Sequence, residues 1–191
     1  MPAHRLRELL EPGRGTLIAG VFDALSARAV QASGIEVGYV SGAGVANAHL
    51  GAPDLGLVTA TEMATQIAAC RGGVQIPLGA VADTGVGNAL NLVRTVRAFE
   101  RAGANAIQIE DQVFPKRCGH FEGKRVVPVE EMVQKVRAAV DTRISSEFLV
   151  VARTDALAVE GFQATLDRAA ARDSRRNAIK LAAAVSGLAG M

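Results

Sequence analysis

Short, almost uninterrupted apolar runs recur through this chain, each followed by a stretch with helical spacing, and this alternation narrows what it can fold into. Thr16 to Gly20, Val37-Gly-Tyr-Val, Pro77 to Ala82, Ala106 to Ile109 and Phe148 to Ala152 read as five strands. Strands that are apolar on both faces belong in a parallel sheet, because strand–helix–strand crossovers lay helices over those faces. The intervening helices are predicted from Val21 to Ala32, from a cap at Thr61 to Gly72-Gly73, from Asn88 to Ala102, from Val129 to Val140, and from Gly161 to Ala171. His4 to Leu10 reads as a helical lead-in. Two architectures satisfy this pattern. A doubly wound open sheet suits 191 residues, whereas a barrel of eight such units usually needs about 250.

In both architectures ligands bind beyond the C-terminal ends of the strands, and the reactive residues of this chain collect there. Ser41-Gly-Ala-Gly follows the second strand, Asp83-Thr-Gly the third, Glu110-Asp111 the fourth, and Arg153-Thr-Asp155 the fifth. Beyond Glu110-Asp111 runs a loop carrying Lys116, Arg117, Cys118, Gly119 and His120. A thiol serves as acid or nucleophile when nearby cations tune its pKa, and Lys116 and Arg117 directly precede Cys118. Carboxylates at a strand end suit a hard divalent cation. Each feature also has a plainer reading. Tyr39 would be core, Ser41-Gly-Ala-Gly a strand-to-helix turn, Asp83-Thr-Gly a capping turn, and Arg153 with Asp155 a structural ion pair. Cys70 reads as small helix packing and His49 as a loop residue.

The formal net charge of +2 comes from interspersed Lys, Arg, Asp and Glu, which gives no electrostatic case for nucleic acid or an acidic membrane surface. No apolar run approaches the roughly 20 residues that span a bilayer, and the N-terminus lacks a signal-peptide core. The two cysteines, Cys70 and Cys118, match no paired metal-ligand spacing and read as reduced thiols. A cytoplasmic location follows as an expectation.

Residues from about 16 to 171 resemble the isocitrate lyase and phosphoenolpyruvate mutase superfamily, most closely its 2-methylisocitrate lyase branch. The matching segments are Tyr39-Val-Ser-Gly-Ala-Gly, Gly51-Ala-Pro-Asp-Leu-Gly, Ala82-Asp-Thr-Gly-Val-Gly-Asn, Ile109-Glu-Asp-Gln, Pro115-Lys-Arg-Cys-Gly-His and Val151-Ala-Arg-Thr-Asp-Ala. The Cys-Gly-His segment is the most specific, since within the family it marks enzymes that break a carbon–carbon bond. The resemblance implies a (β/α)8 TIM-type α/β barrel, a homotetramer, a small-molecule carboxylate substrate and a catalytic Mg2+, with Mn2+ as a substitute. It further implies Cys118 as the acid that protonates the carbanion left by cleavage, assisted by Lys116 and Arg117. Asp83 and Glu110 would hold the metal. Tyr39, Ser41 and Gly42 would cradle a 2-oxo acid product, Arg153 would pair with a substrate carboxylate, and Asp54, Gly119 and His120 would complete the substrate site.

Two departures qualify the match. Where the family writes Asp-x-Asp-Thr-Gly, this chain has Val81-Ala82-Asp83, so one metal carboxylate is replaced by an apolar group. About five β/α units are recognisable, and Ile179 to Val185 is apolar but Ala-rich, suggesting a helix more than a strand. The expected organisation is a partial barrel over residues 1–171 and a divergent tail over 172–191, as in a truncated family member whose terminal strands, the first and fifth, have open edges. Three readings follow: a Mg2+-dependent lyase on 2-methylisocitrate or a related 2-hydroxy di- or tricarboxylate, an oxaloacetate decarboxylase or carboxyvinyl-carboxyphosphonate phosphorylmutase-like enzyme, and an inactive fragment.

Overall fold

The structure is a computed structural model that describes residues 2–11, 13–117, 122–171 and 178–182. Helix α1 (Pro2–Leu9) leads into β1 (Ile18–Val21), α2 (Ala24–Ala32) and β2 (Val37–Val40). A short α3 (Gly42–Val45) runs into a π-helical turn, Ala46–Leu50. Then come α4 (Ala60–Gly73), β3 (Leu78–Val81), α5 (Ala89–Arg101), β4 (Ala106–Glu110), α6 (Val129–Thr142), β5 (Leu149–Thr154), α7 (Phe162–Ala171) and β6 (Ala178–Ala182).

The strands lie side by side in the order β1-β2-β3-β4-β5-β6, all parallel. This order decides between the two architectures. A doubly wound sheet reverses its strand order at a switch point; here every crossover steps the same way. With crossovers of one hand, all the covering helices fall on one face and the other becomes the inside of a barrel wall. Among the described residues β1 and β6 are the edge strands and do not pair with each other.

The outer face packs against the helices. Leu78, Ala80, Ile107, Ile109, Val150 and Ala152 meet Ile67, Leu92, Val96, Phe99, Met132 and Val136 in the main core. Cys70, fully buried in the same core, is the small packing residue expected of it. The inner face is built by the alternate residues. At the N-terminal ends of the strands, Val37, Ala106 and Leu149 form a second cluster with Leu6 and Leu9, so α1 closes the bottom of the wall. Midway up, a Cβ on Gly79 would lie 3.1 Å from the Tyr39 ring, so the missing side chain makes room for that ring. The strands therefore deliver a dry lower interior and leave their polar residues at the top.

Several boundaries differ from the sequence reading for local reasons. Ser41-Gly-Ala-Gly is the start of α3, with Ser41 Oγ accepting from the Gly44 amide at 3.2 Å. The N-cap of α4 is Thr59, not Thr61: Thr59 and Glu62 form a reciprocal capping box. Residues 178–182 form a strand where a helix was expected, pairing along β5 from Val150↔Ala178 to Thr154↔Ala182. The edge of β5 supplies ladder partners that outweigh a helical propensity of a few tenths of a kcal/mol per residue. Thus β6 and not β5 bounds the described sheet, and the sheet extends past the boundary drawn at residue 171. No described helix is long and apolar enough to cross a membrane.

Candidate active site at the strand ends

The polar top of the wall is assembled from four strand ends and two loops. Asp83 follows β3 with φ of +47°, a left-handed conformation that is costly for residues other than Gly and least so for Asn and Asp. The turn is tied in place from both sides: Gly85 N–H donates to the Ala82 carbonyl at 2.7 Å, and Glu110 N–H donates to the Asp83 carbonyl at 2.8 Å. The backbone thus couples the Asp83 turn directly to the end of β4. Such a strained, pinned carboxylate is a common mark of a functional site.

Glu110 and its sequence neighbour Asp111 go to opposite sides. Glu110 faces inward, 3.5 Å from Arg153 across the Glu110↔Arg153 register pair. Its Oε1 is buried without a hydrogen-bond partner among the described residues, as is Tyr39 Oη. Burial, against the pull of Arg153, pushes the Glu110 carboxyl up from 4.5 to about 8, and burial likewise raises the Tyr39 phenol. Both groups are thus biased toward their protonated, hydrogen-bond-donating forms. Asp111 is fully buried on the other side, accepting from Thr154 Oγ1 at 2.7 Å and from the Asp155 amide at 2.9 Å. Arg168 of α7 lies 3.4 Å from it and also grips the Val127 carbonyl and Glu160. Asp111 is thus a strut between β4, β5 and α7.

Lys116 is the centre of the inner cluster. Its side chain is 4% exposed, and its Nζ lies 2.5 Å from Asp54 Oδ1 and 3.0 Å from Asp83 Oδ1. Burial raises the Asp83 carboxyl more than Lys116 lowers it, whereas the two acids outweigh burial on Lys116 and raise its pKa. Gln112 shapes the loop that brings Lys116 in: its side-chain amide accepts from the Arg117 N–H and donates to the Arg117 carbonyl, both at 2.9 Å. With the backbone held at 117, Lys116 turns inward and Arg117 outward, where its exposed guanidinium donates to the Glu122 carbonyl at 3.0 Å. Arg117 is not brought into the cluster.

The floor beneath Lys116 is Gly42. A Cβ there would lie 2.9 Å from Val81 Cγ1, 3.6 Å from Asp83 Oδ1 and 3.7 Å from Asp54 Oδ1. On the other flank Arg153 donates to Asp155 Oδ1 at 2.9 Å, and Lys124 does so at 3.3 Å. The plainer reading of Arg153 and Asp155 as an ion pair is thus realised, but buried and beside the cluster.

The structure therefore gathers Tyr39, Gly42, Asp54, Asp83, Glu110, Lys116 and Arg153 around one space, with Ser41 at its rim capping α3. Cys118, Gly119 and His120 lie outside the described residues. Sequence reasoning missed Gln112, Lys124 and Arg168; Gln112, directly after two carboxylates and before the loop, was the one with a readable signal. The metal expectation meets an obstacle. Among the described residues no three His, Cys, Asp or Glu side chains converge to hold an ion. Val81 offers no donor, and Asp83 and Glu110 face a lysine and an arginine of the chain itself. This donor set does not fit a divalent cation, which takes about six oxygen ligands.

Comparison with known proteins identifies the family. The profile of the phosphoenolpyruvate phosphomutase family matches residues 6–173. A 2,3-dimethylmalate lyase from Eubacterium barkeri is 45% identical over 166 residues, covering 87% of this chain and 57% of the relative. A 2-methylisocitrate lyase from Shewanella oneidensis is 43% identical over 167 residues, with the same 87% and 57% coverage. This chain thus spans somewhat over half the length of these curated relatives. Among solved structures, a 2,3-dimethylmalate lyase of the PEP mutase/isocitrate lyase superfamily superposes with a TM-score of 0.86 at 35% identity, covering 94% of this chain and 62% of the other. A phosphonopyruvate hydrolase in complex with oxalate and Mg2+ gives 0.84 at 29%, covering 97% and 65%. The six consecutive strands are a partial TIM-type barrel, and the chain belongs to the phosphoenolpyruvate mutase/isocitrate lyase superfamily, a family of enzymes.

Proposed function

We propose that this chain carries the carboxylate-binding part of a carbon–carbon lyase site acting on 2-methylisocitrate or a related 2-hydroxy di- or tricarboxylate, with pyruvate and succinate as products. The observation that supports this most is one cluster of buried groups: two cations, Lys116 and Arg153, beside Glu110 and Tyr39, whose Oε1 and Oη have no hydrogen-bond partner among the described residues. Cations and neutral donors together suit an anionic, oxygen-rich ligand. Arg153 presents a planar fork to a carboxylate. In the proposed reaction the 2-hydroxyl proton passes to the carboxylate cluster and a 2-oxo acid forms as the adjacent carbon–carbon bond breaks. The electron pair left on the departing carbon takes a proton from the Cys118 thiol, and Gly119 and His120, next in sequence, are assigned as donors to a second substrate carboxylate.

The Mg2+ or Mn2+ implied by the family would be held by Asp83 and Glu110, where it would stabilise enolate charge. Because the donor set does not fit it, no step is routed through it. The unit concerned is the partial barrel of residues 1–171 together with β6 (Ala178–Ala182), which joins its sheet. A cytoplasmic setting, assembly as a homotetramer, and no nucleic-acid or membrane partner complete the proposal. An oxaloacetate decarboxylase or carboxyvinyl-carboxyphosphonate phosphorylmutase-like activity is the second reading. It is favoured by a 46% identical Arabidopsis thaliana relative of the latter name.

The test is cleavage of 2-methylisocitrate by the wild-type chain and by Cys118→Ser, alongside thermal unfolding with pyruvate or succinate. Cleavage that falls by a factor of about 100 or more in the serine variant supports the lyase. Decarboxylation of oxaloacetate that tolerates the variant moves the assignment to the second reading. No turnover and no ligand-dependent rise in Tm would leave the inactive fragment.

A further inference from the structure

Three side chains converge on one point above Gly42, and what they bring to it is uneven. Asp83 Oδ1 and Asp54 Oδ1 lie 3.6 and 3.7 Å from where a Gly42 Cβ would stand, and Val81 Cγ1 lies 2.9 Å from it. On the alternation of β3, Val81 shares the inner face with Gly79, so an acid at position 81 would place a third carboxylate at this point. Instead the point receives a methyl group and two carboxylate oxygens. A cation already sits between those oxygens: Lys116 Nζ, at 2.5 and 3.0 Å, on a side chain 4% exposed.

The remaining charges leave little room for a second cation. Asp54, Asp83, Glu110 and Asp155 each already lie within 3.5 Å of Lys116, Arg153 or Lys124. A divalent ion binding here would have to strip its water against a valine and expel a buried ammonium from both of its carboxylates. An anion faces no such obstacle. It would meet the ammonium and the guanidinium, with Tyr39 Oη and Glu110 Oε1, both buried and unpartnered among the described residues, as further contacts.

We propose that Lys116 is the resident cation of this site, in the place that Val81 denies to a divalent ion, and that the chain binds small 2-oxo carboxylates and dicarboxylates without a metal. This rests on the carboxylate-site reading above, and it departs from the metal dependence that the family resemblance implies. Val81 and Lys116 form a linked pair: removing the third carboxylate leaves two acids that one ammonium can hold, whereas restoring it would leave three acids around a single ammonium.

Two measurements on the purified chain test this. The first is Mn2+ titration followed by electron paramagnetic resonance, with Mg2+ as competitor. The second is the Tm shift produced by oxalate, once in EDTA and once in Mg2+. The expected results are no Mg2+-competed Mn2+ site in the wild type and an equal oxalate shift in both buffers. Lys116→Gln is expected to weaken oxalate binding at least tenfold in EDTA. Val81→Asp is expected to gain about one equivalent of Mn2+ and to make the oxalate shift Mg2+-dependent. A wild-type Mn2+ site displaced by Mg2+, or an oxalate shift abolished by EDTA, overturns the proposal. If oxalate shifts nothing in either buffer, the carboxylate-site reading fails. The Mn2+ titration then still decides the cation, with gain of a site in Val81→Asp upholding Lys116's role and an unchanged titration refuting it. Should Val81→Asp fail to fold, the wild-type titration and Lys116→Gln carry the decision.

Discussion

Glu110 and Asp111 are adjacent carboxylates with opposite fates, and the pleat of β4 separates them. Asp111 is satisfied by Thr154, the Asp155 amide and Arg168, whereas Glu110 keeps one oxygen without a hydrogen-bond partner among the described residues. The shift of Glu110 from 4.5 to about 8 has a sign that can be worked out. Between those values the folded state keeps a proton that the unfolded state has released, so stability is greatest at the acid end and is lost as pH rises. Urea midpoints are expected to fall from about pH 4.5 to about pH 8, and Glu110→Gln is expected to flatten most of that slope. A wild-type midpoint that holds steady across the range would show Glu110 to be ionised in the native site. The presence of two acids was readable from Ile109-Glu-Asp-Gln; which one stays unsatisfied depended on Thr154, the Asp155 amide and Arg168 arriving on the Asp111 side.

The elements were legible where local chemistry settles them. Asn88 is the N-cap of α5, accepting from the Leu90 and Asn91 amides at 3.0 and 3.2 Å, with Asn91 closing the box by accepting from the Asn88 amide. Asn88→Ala is expected to cost about 1 kcal/mol and Asn88→Gly only a few tenths, measured by denaturant unfolding. No loss in either variant would mean that the side-chain cap contributes little. Thr59-x-x-Glu62 carries the same signature in the sequence, and Thr61, the cap expected from the sequence, is a helical residue. By contrast β6 was not legible, because Ala178-Ile-Lys-Leu-Ala favours a helix until β5 presents its open ladder.

Across the whole molecule the notable feature is the described sheet's two edges. Strand β1 pairs with β2 alone among the described residues, and Leu17 just before it and Ile18, its first residue, are 68% and 42% exposed. A parallel strand with an unpaired ladder and apolar neighbours invites pairing with another chain. The purified chain is expected to self-associate with rising concentration in sedimentation velocity, and Leu17→Lys with Ile18→Lys to weaken that association roughly tenfold. Association indifferent to these changes would place the contact elsewhere.

What the sequence determined by itself was the repeated apolar strand and amphipathic helix, and with them the placing of reactive residues at strand ends. These follow from periodicity and from where a parallel sheet binds ligands. The choice of barrel wall over doubly wound sheet was not in the periodicity, since both architectures share it; the family resemblance indicated it, and the monotonic strand order displays it. The pairing of Lys116 with Asp54 and Asp83 was decided only in three dimensions. It joins residues 62 and 33 positions apart, and the replacement of an acid by Val81 acquires its meaning only once Gly42 brings all three side chains to one point.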